Sequence, residues 1–311
     1  MLTRRDMLAL SGASLALAAC GRTAQGGTDV LRVGSQRGGT KALITASRVM
    51  DGAGYTIEWS EFPAAQPLLE AIGSGAVDVG VAGDAPFLFA YGSGSPIRAV
   101  QAQSVFQRPA KALGILVPGH SPAQELADLK GKRIATTRGS IGHYLILRAL
   151  ASQNLKPDFV RITFLSPSDA KAALQSGSVD AWSVWIPYIS LAIAEGYRVL
   201  VDGQTLMRGT SFDAASEKAI AAKRGILKDF LAREAKALLW ARDHVDDYAA
   251  VLSQDTGLPL PIAREMVIRN ERQAVPFSPD FVAEQQAVID TFHAAGEVKN
   301  APLVRNAFVT L

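Results

Sequence analysis

Apolar positions alternate or recur at helical spacing along the chain, and they divide it into short strands and helices. Residues 30–35 (VLRVGS) alternate as a strand, Arg37-Gly38-Gly39 turns the chain, and residues 40–50 have helical spacing. A strand (YTIEWSEF) and a helix (AAQPLLEAIGSG) follow. Residues 77–82 (VDVGVA) read as a buried strand, and Gly83-Asp84-Ala85-Pro86 opens another helix. The order βαβαβα predicts a parallel sheet.

The next hundred residues repeat the pattern. Residues 132–137 are a strand, Arg138-Gly139-Ser140 turns, and residues 141–153 are helical. A strand at 159–165, a helix at 169–176 and a strand after Gly177-Ser178-Val179-Asp180 lead to a turn at Trp185-Ile186-Pro187-Tyr188. Arg37-Gly38 recurs as Arg138-Gly139, and Ser74-Gly75-Ala76-Val77-Asp78 as Ser176-Gly177-Ser178-Val179-Asp180, at nearly one offset. Two similar α/β lobes follow, with the loops at their strand ends facing one cleft, where ligands of open parallel sheets bind. Residues 110–117 (AKALGILV) and 209–215 read as extended crossings between lobes and as hinges. The lobes are then 29–112 with 210–311, and 113–209. The stretch 226–252 and a helix over 278–294 are expected to form an outer layer on the first lobe.

The N-terminus stands outside this pattern. MLTRRDMLALSGASLALAAC carries paired Arg4 and Arg5, then an apolar run too short and too rich in Gly and Ser to span a bilayer. Residues 1–19 read as an export signal, of twin-arginine or general secretory type. Leu17-Ala18-Ala19-Cys20 looks like a lipobox, which makes Cys20 the lipidated first mature residue, and 20–28 a flexible tether. The protein is then periplasmic or cell-surface, held to the membrane by lipid.

Composition narrows the chemistry. The 311 residues are 48% hydrophobic, enough for two lobes with their own cores. A net charge of +3 without a Lys/Arg cluster gives no nucleic-acid groove. Cys20 is the one cysteine, so the mature chain has no internal disulfide and no cysteine metal site. His120, His143, His244 and His293 are scattered without metal spacing, and there is no GxxxxGK[ST] or HExxH motif. No metal or cofactor is expected. Ser140 with His143 lacks a named orienting acid, so a nucleophile assignment has little support.

LRVGSQRGG, WSEFPAAQPLLEAIGSGAVDVGVAGDAPFLFA, DLKGKRIATTRGSIGHYLILRAL and AALQSGSVDAWSVWIPY resemble the periplasmic aliphatic-sulfonate-binding proteins. Those belong, with taurine-, nitrate- and pyrimidine-precursor-binding relatives, to the type II solute-binding proteins of ABC importers. The resemblance runs from about Leu31 to the C-terminus. It implies a two-lobed α/β fold, capture of a small organic anion by domain closure, and delivery to a permease with a cytoplasmic ATPase. A monomer is expected.

Residue by residue, the family's strand-end glutamine matches Gln36. Its polar helix-start residues match Ser140 and, more loosely, His143. Its glycine-aspartate pair matches Gly83-Asp84, its tryptophan matches Trp182, and its crossing serine matches Ser211. The expected site joins Gln36, Ser140 and the amides of Gly39, Ile141 and Gly142 around the sulfonate, with Gly38 and Gly139 giving close backbone approach. Trp182 and Phe212 would flank the organic tail. Several of these have a second reading: Ser140 and Asp84 as N-caps, His143 and Trp182 as core, Arg37 and Arg138 as solvent-facing charges.

Two departures bear on the ligand. The family has further hydroxyl residues where Ile141 and Gly142 follow Ser140, and Trp-Asp-Pro-Tyr where this chain has Trp185-Ile186-Pro187-Tyr188. Isoleucine at 186 removes a carboxylate partner for a ligand ammonium. An uncharged alkyl or aryl sulfonate, or a sulfate ester, is therefore expected over taurine. Nitrate, bicarbonate, a phosphonate, an aromatic carboxylate or a pyrimidine precursor are the alternatives, and an enzyme on the same fold is a further one.

Overall fold

The computed structural model describes residues 29–105 and 111–311. The export signal (1–19), Cys20, the tether (20–28) and Ala110 lie outside the described residues.

The first sheet is built from β1 (Asp29–Gln36), β2 (Tyr55–Phe62), β3 (Val79–Gly83), β4 (Ile97–Val105), β10 (Thr210–Ser216) and β11 (Arg272–Val275), in the order β11-β4-β10-β3-β1-β2. The helices α1 (Thr40–Ser47), α2 (Ala65–Gly73) and α3 (Asp84–Gly92) each follow one of its first three strands. The second sheet holds β5 (Leu113–Val117), β6 (Arg133–Thr136), β7 (Arg161–Phe164), β8 (Ala181–Trp185) and β9 (Arg198–Asp202), in the order β7-β6-β8-β5-β9. Its helices are α4 (Ile141–Ser152), α5 (Pro167–Gln175) and α6 (Tyr188–Ala194). The C-terminal part supplies α7 (Glu217–Asp243), α8 (Val245–Thr256), α9 (Leu260–Arg269) and α10 (Pro279–Ala294).

The sequence repeat has a structural counterpart. In the first sheet, Asp78 accepts from the Arg32 amide at 2.8 Å and from Arg32 Nη2 at 2.6 Å. In the second, Asp180 accepts from the Arg133 amide at 2.8 Å and from Arg133 Nε at 3.2 Å. Each aspartate pins the start of its third strand to the start of its first. The turns also match: Gly38 and Gly139 have φ of +72° and +65°, the left-handed region that side chains disfavour.

Three expectations change. Each sheet has a parallel core, β2-β1-β3 and β7-β6-β8, but β10, β11 and β5 pair antiparallel, so both sheets are mixed. β5 and β10, read from sequence as extended crossings and hinges, each lie inside one sheet as paired strands; β10 is buried along its whole length between β3 and β4. Finally, α10 is more than an outer layer on the first lobe. It packs on α3 and also on α4, where Phe292 meets Phe89 (5.2 Å) and the rings of His143 (5.4 Å) and Tyr144 (5.8 Å). Aromatic pairs at these separations add attraction beyond area burial. The stripe on α10 is shared between two partners, which helical periodicity alone cannot reveal.

Candidate functional site

A cavity of about 470 Å³ lies between the carboxyl ends of the two sets of parallel strands. The first sheet contributes 36–40 and Gly83, the second Ser140, Ile141 and 185–188, and β10 contributes Thr210 and Ser211. In volume it falls within the range of small-molecule sites.

Helix starts dominate its polar wall, because the units β1-α1, β2-α2, β3-α3, β6-α4 and β8-α6 end their strands here. The N-caps of α1, α2 and α3 (Gly39, Ala64 and Gly83) make no side-chain capping bond. Such ends leave N–H groups free and favour negative charge by about 0.3–1 kcal/mol each. At α1 the Gly39 amide is already spent on Gln36 O (2.8 Å), and the Lys41 amide on Ser35 Oγ (3.1 Å). Thr40, the first residue of α1, stands between these two spent amides and lines the cavity. Gln36 gives one Nε2 hydrogen to Val81 O (2.9 Å) and keeps a second.

At α4, Ser140 is an N-cap. Its Oγ accepts from the His143 amide at 3.1 Å and lies 3.3 Å from Thr136 Oγ1. Thr136 donates to Ser183 O (3.0 Å), so in the contact between the two hydroxyls Ser140 is the donor, and Ser140 meets the cavity with its oxygen and the neighbouring backbone. The Ile141 amide lies beside it at the wall. Gly142 sits one step deeper and does not line the cavity: a Cβ there would stand 2.6 Å from Thr136 Oγ1 and 2.7 Å from Ser183 O. Its glycine serves the close approach of α4 to β8.

The other expected residues lie elsewhere. Trp182 is 2% exposed, in the core beneath β8. Phe212 is fully buried against Phe87 (5.1 Å), Phe308 (5.4 Å) and Phe281 (6.0 Å). Neither is among the residues that line the cavity. Asp84 is buried off the wall, and its Oδ1 accepts from the Ala85 amide at 2.7 Å. Burial pushes its pKa up to about 7, despite that amide and nearby Arg272.

His143 and Gly139 belong to a seam behind the cavity, where α3, α4 and α10 meet. The Gly139 amide donates to His143 Nδ1 at 3.2 Å, which places the remaining proton on Nε2 of the neutral ring. Burial, with Arg138 nearby, lowers the His143 pKa to about 4. Arg138 pairs with Glu297 and stacks 4.0 Å over Phe164, away from the cavity, while Arg37 lines the cavity and bonds Thr256 O.

The structure adds residues that sequence reading did not single out. Trp185 and Tyr188, beside Ile186 and Pro187, form an apolar wall, and Tyr188 Oη donates across the cleft to Pro63 O (3.1 Å). Both stand in the quoted SVWIPY segment, and their place at the carboxyl end of β8 was the available signal. Glu234, Tyr248 and Arg272 reach the cavity from α7, α8 and β11, with no sequence motif to mark them. Glu234 faces Asp213, both essentially unexposed; burial raises both carboxyls, and the charge of Asp213 raises Glu234 further. Gln101 and Gln103 donate to the other Asp213 oxygen at 3.2 and 3.0 Å.

Known proteins share this arrangement. Residues 56–246 match the family model described as NMT1/THI5 like. An Escherichia coli (strain K12) protein named for aliphatic sulfonate binding is 37% identical over 295 residues, 92% of this chain and 90% of its own. The alkanesulfonate-binding protein SsuA of Xanthomonas axonopodis pv. citri, solved bound to MOPS, is 34% identical, with a TM-score of 0.82 over 91% of this chain and 98% of that one. The desulfurization enzyme DSZB shares the fold at 19% identity, with a TM-score of 0.65 over 91% of this chain and 96% of that one. With a family match over more than half its length and a full-length relative above a third identical, the chain belongs to the NMT1/THI5-like family, alongside sulfonate-binding proteins.

Proposed function

We propose that the protein is the extracytoplasmic solute-binding component of an ABC importer, and that it captures an alkyl or aryl sulfonate, or a sulfate ester, by closing two lobes on it. The lobes are 29–112 with 210–311, and 113–209. The observation that carries this reading is the pairing of helix starts and their polar groups across one cavity. The Thr40 amide and Gln36 stand on one side, and Ser140 and the Ile141 amide on the other. An anion bonded from both sides binds the closed form better than the open one, which is what capture requires. The names of the E. coli and Xanthomonas relatives support the same ligand class. Amides and hydroxyls are reversible donors, and His143 turns into the seam, so the wall favours binding over turnover. Export, a lipid anchor at Cys20, a monomeric state and handover to a permease complete the proposal.

Ile186 lines the cavity with Trp185 and Pro187, so the tail of the ligand meets apolar groups. A ligand ammonium there would lose its hydration without a partner. Calorimetric titration tests this: butanesulfonate binds more tightly than taurine, and the reverse order would refute the assignment.

A further inference from the structure

The cavity has a second polar feature, away from the helix start at Ser140. Gln66, on the first turn of α2, lines the wall with both Oε1 and Nε2 buried and without a hydrogen-bond partner among the described residues. Thr210, the first residue of β10, is 1% exposed, lines the same cavity, and its Oγ1 is likewise unpartnered. α2 packs on β10, and both residues line the same cavity. The same cavity is lined by Ala65, Val81 and Pro86, which offer no hydrogen bond from a side chain.

Unpaired oxygens on Asp213 and Glu234 have a ready explanation, because the two buried carboxyls face each other. Gln66 and Thr210 have no such neighbour. A buried amide or hydroxyl left without a partner costs free energy that a native fold seldom tolerates without a reason. The chemistry of the set is specific. A carboxamide offers two donors and one acceptor, and a hydroxyl offers one donor and two acceptor lone pairs. Neither carries charge, so the set suits a neutral group that both donates and accepts.

We infer that Gln66 and Thr210 form a specificity subsite that hydrogen-bonds a neutral polar group, a hydroxyl or its equivalent, on the organic tail of the ligand. This rests on the sulfonate reading above, and it selects within that class: a functionalised sulfonate over a plain alkyl one. Cavity size agrees, since a short unsubstituted alkanesulfonate fills only part of 470 Å³.

The test uses matched pairs of probes: alkanesulfonates ending in a methyl group, and the same chains ending in a hydroxyl, over a ladder of chain lengths. Calorimetry on the folded chain gives the affinity ratio at each length. At the length that reaches the subsite, the hydroxyl probe binds about tenfold more tightly than its methyl partner. Gln66→Leu and Thr210→Val, close in shape, shrink that ratio severalfold or reverse it. They leave the melting temperature of the unliganded protein unchanged or raised, because each removes an orphaned polar group. A methyl preference at every length overturns the inference, as does a hydroxyl preference that survives both substitutions. Binding of neither series overturns the sulfonate reading itself, and the subsite with it. Methyl-terminated binding without hydroxyl preference removes the subsite alone.

Discussion

Replacing Gly139 with alanine probes the contact between the α4 turn and α3 that the proposed closure would load. Gly139 has φ of +65°, and a Cβ added there would stand 2.6 Å from Cγ and 2.9 Å from Cε1 of Phe89 on α3. The backbone term, about 1–2 kcal/mol for an L-residue in this region, applies whether the cleft is open or closed. The ring term is different. Phe89 is held edge-on against Phe292 at 5.2 Å, so it must leave a packed position or force α3 and α4 apart. Overpacking of that kind costs roughly 1–3 kcal/mol. If the seam opens with the cleft, the closed, ligand-holding form alone bears this cost. Gly139→Ala then weakens sulfonate binding about 5- to 150-fold by calorimetry, beyond its effect on melting. Phe89→Leu supplies the second arm of a double-mutant cycle, because a smaller side chain makes room for the Cβ. Binding losses that add to within about 0.5 kcal/mol across the cycle refute the reasoning, since the two sites would then be uncoupled.

Two further outcomes follow from burial and wall chemistry. The folded-state pKa of Asp84 is raised from 3.8 to about 7, so its protonated form is favoured by folding. That contribution is fully present below pH ~4 and is lost as pH rises through about 7, a span worth about 4 kcal/mol. Asp84→Asn therefore flattens the fall in stability between pH 4 and 7, read from urea midpoints, and a curve parallel to the wild type contradicts this. Ile186→Asp restores a carboxylate at the cavity wall, so taurine affinity rises at least severalfold while butanesulfonate affinity falls; an unchanged ratio argues against Ile186 as a tail contact.

Much of the architecture was legible because the repeat is written in residues with strict backbone demands. Gly38 and Gly139 mark left-handed turns, and Asp78 and Asp180 mark matching strand ties. The family resemblance pointed to Gln36 and Ser140, with the amide of Ile141, and these line the cavity where strands end and helices begin. It failed where side-chain direction decides. Trp182 and Trp185 lie three residues apart on β8, yet the first is core and the second borders the cavity. Phe212 and Ser211 are neighbours whose side chains point to opposite faces of the sheet, so only Ser211 reaches the wall. His143 is one turn into α4, and that rotation carries it into the seam with Phe164 and Phe292. Glu234, Tyr248 and Arg272 come from helices and a strand far along the chain, and tertiary packing alone brings them in.

Native mass spectrometry of the folded protein, followed by release and identification of any co-purified small molecule, tests the central claim most directly. A sulfonate or sulfate ester, bound one per chain and lost on unfolding, is the result this account predicts. A nitrogenous base in its place would contradict it.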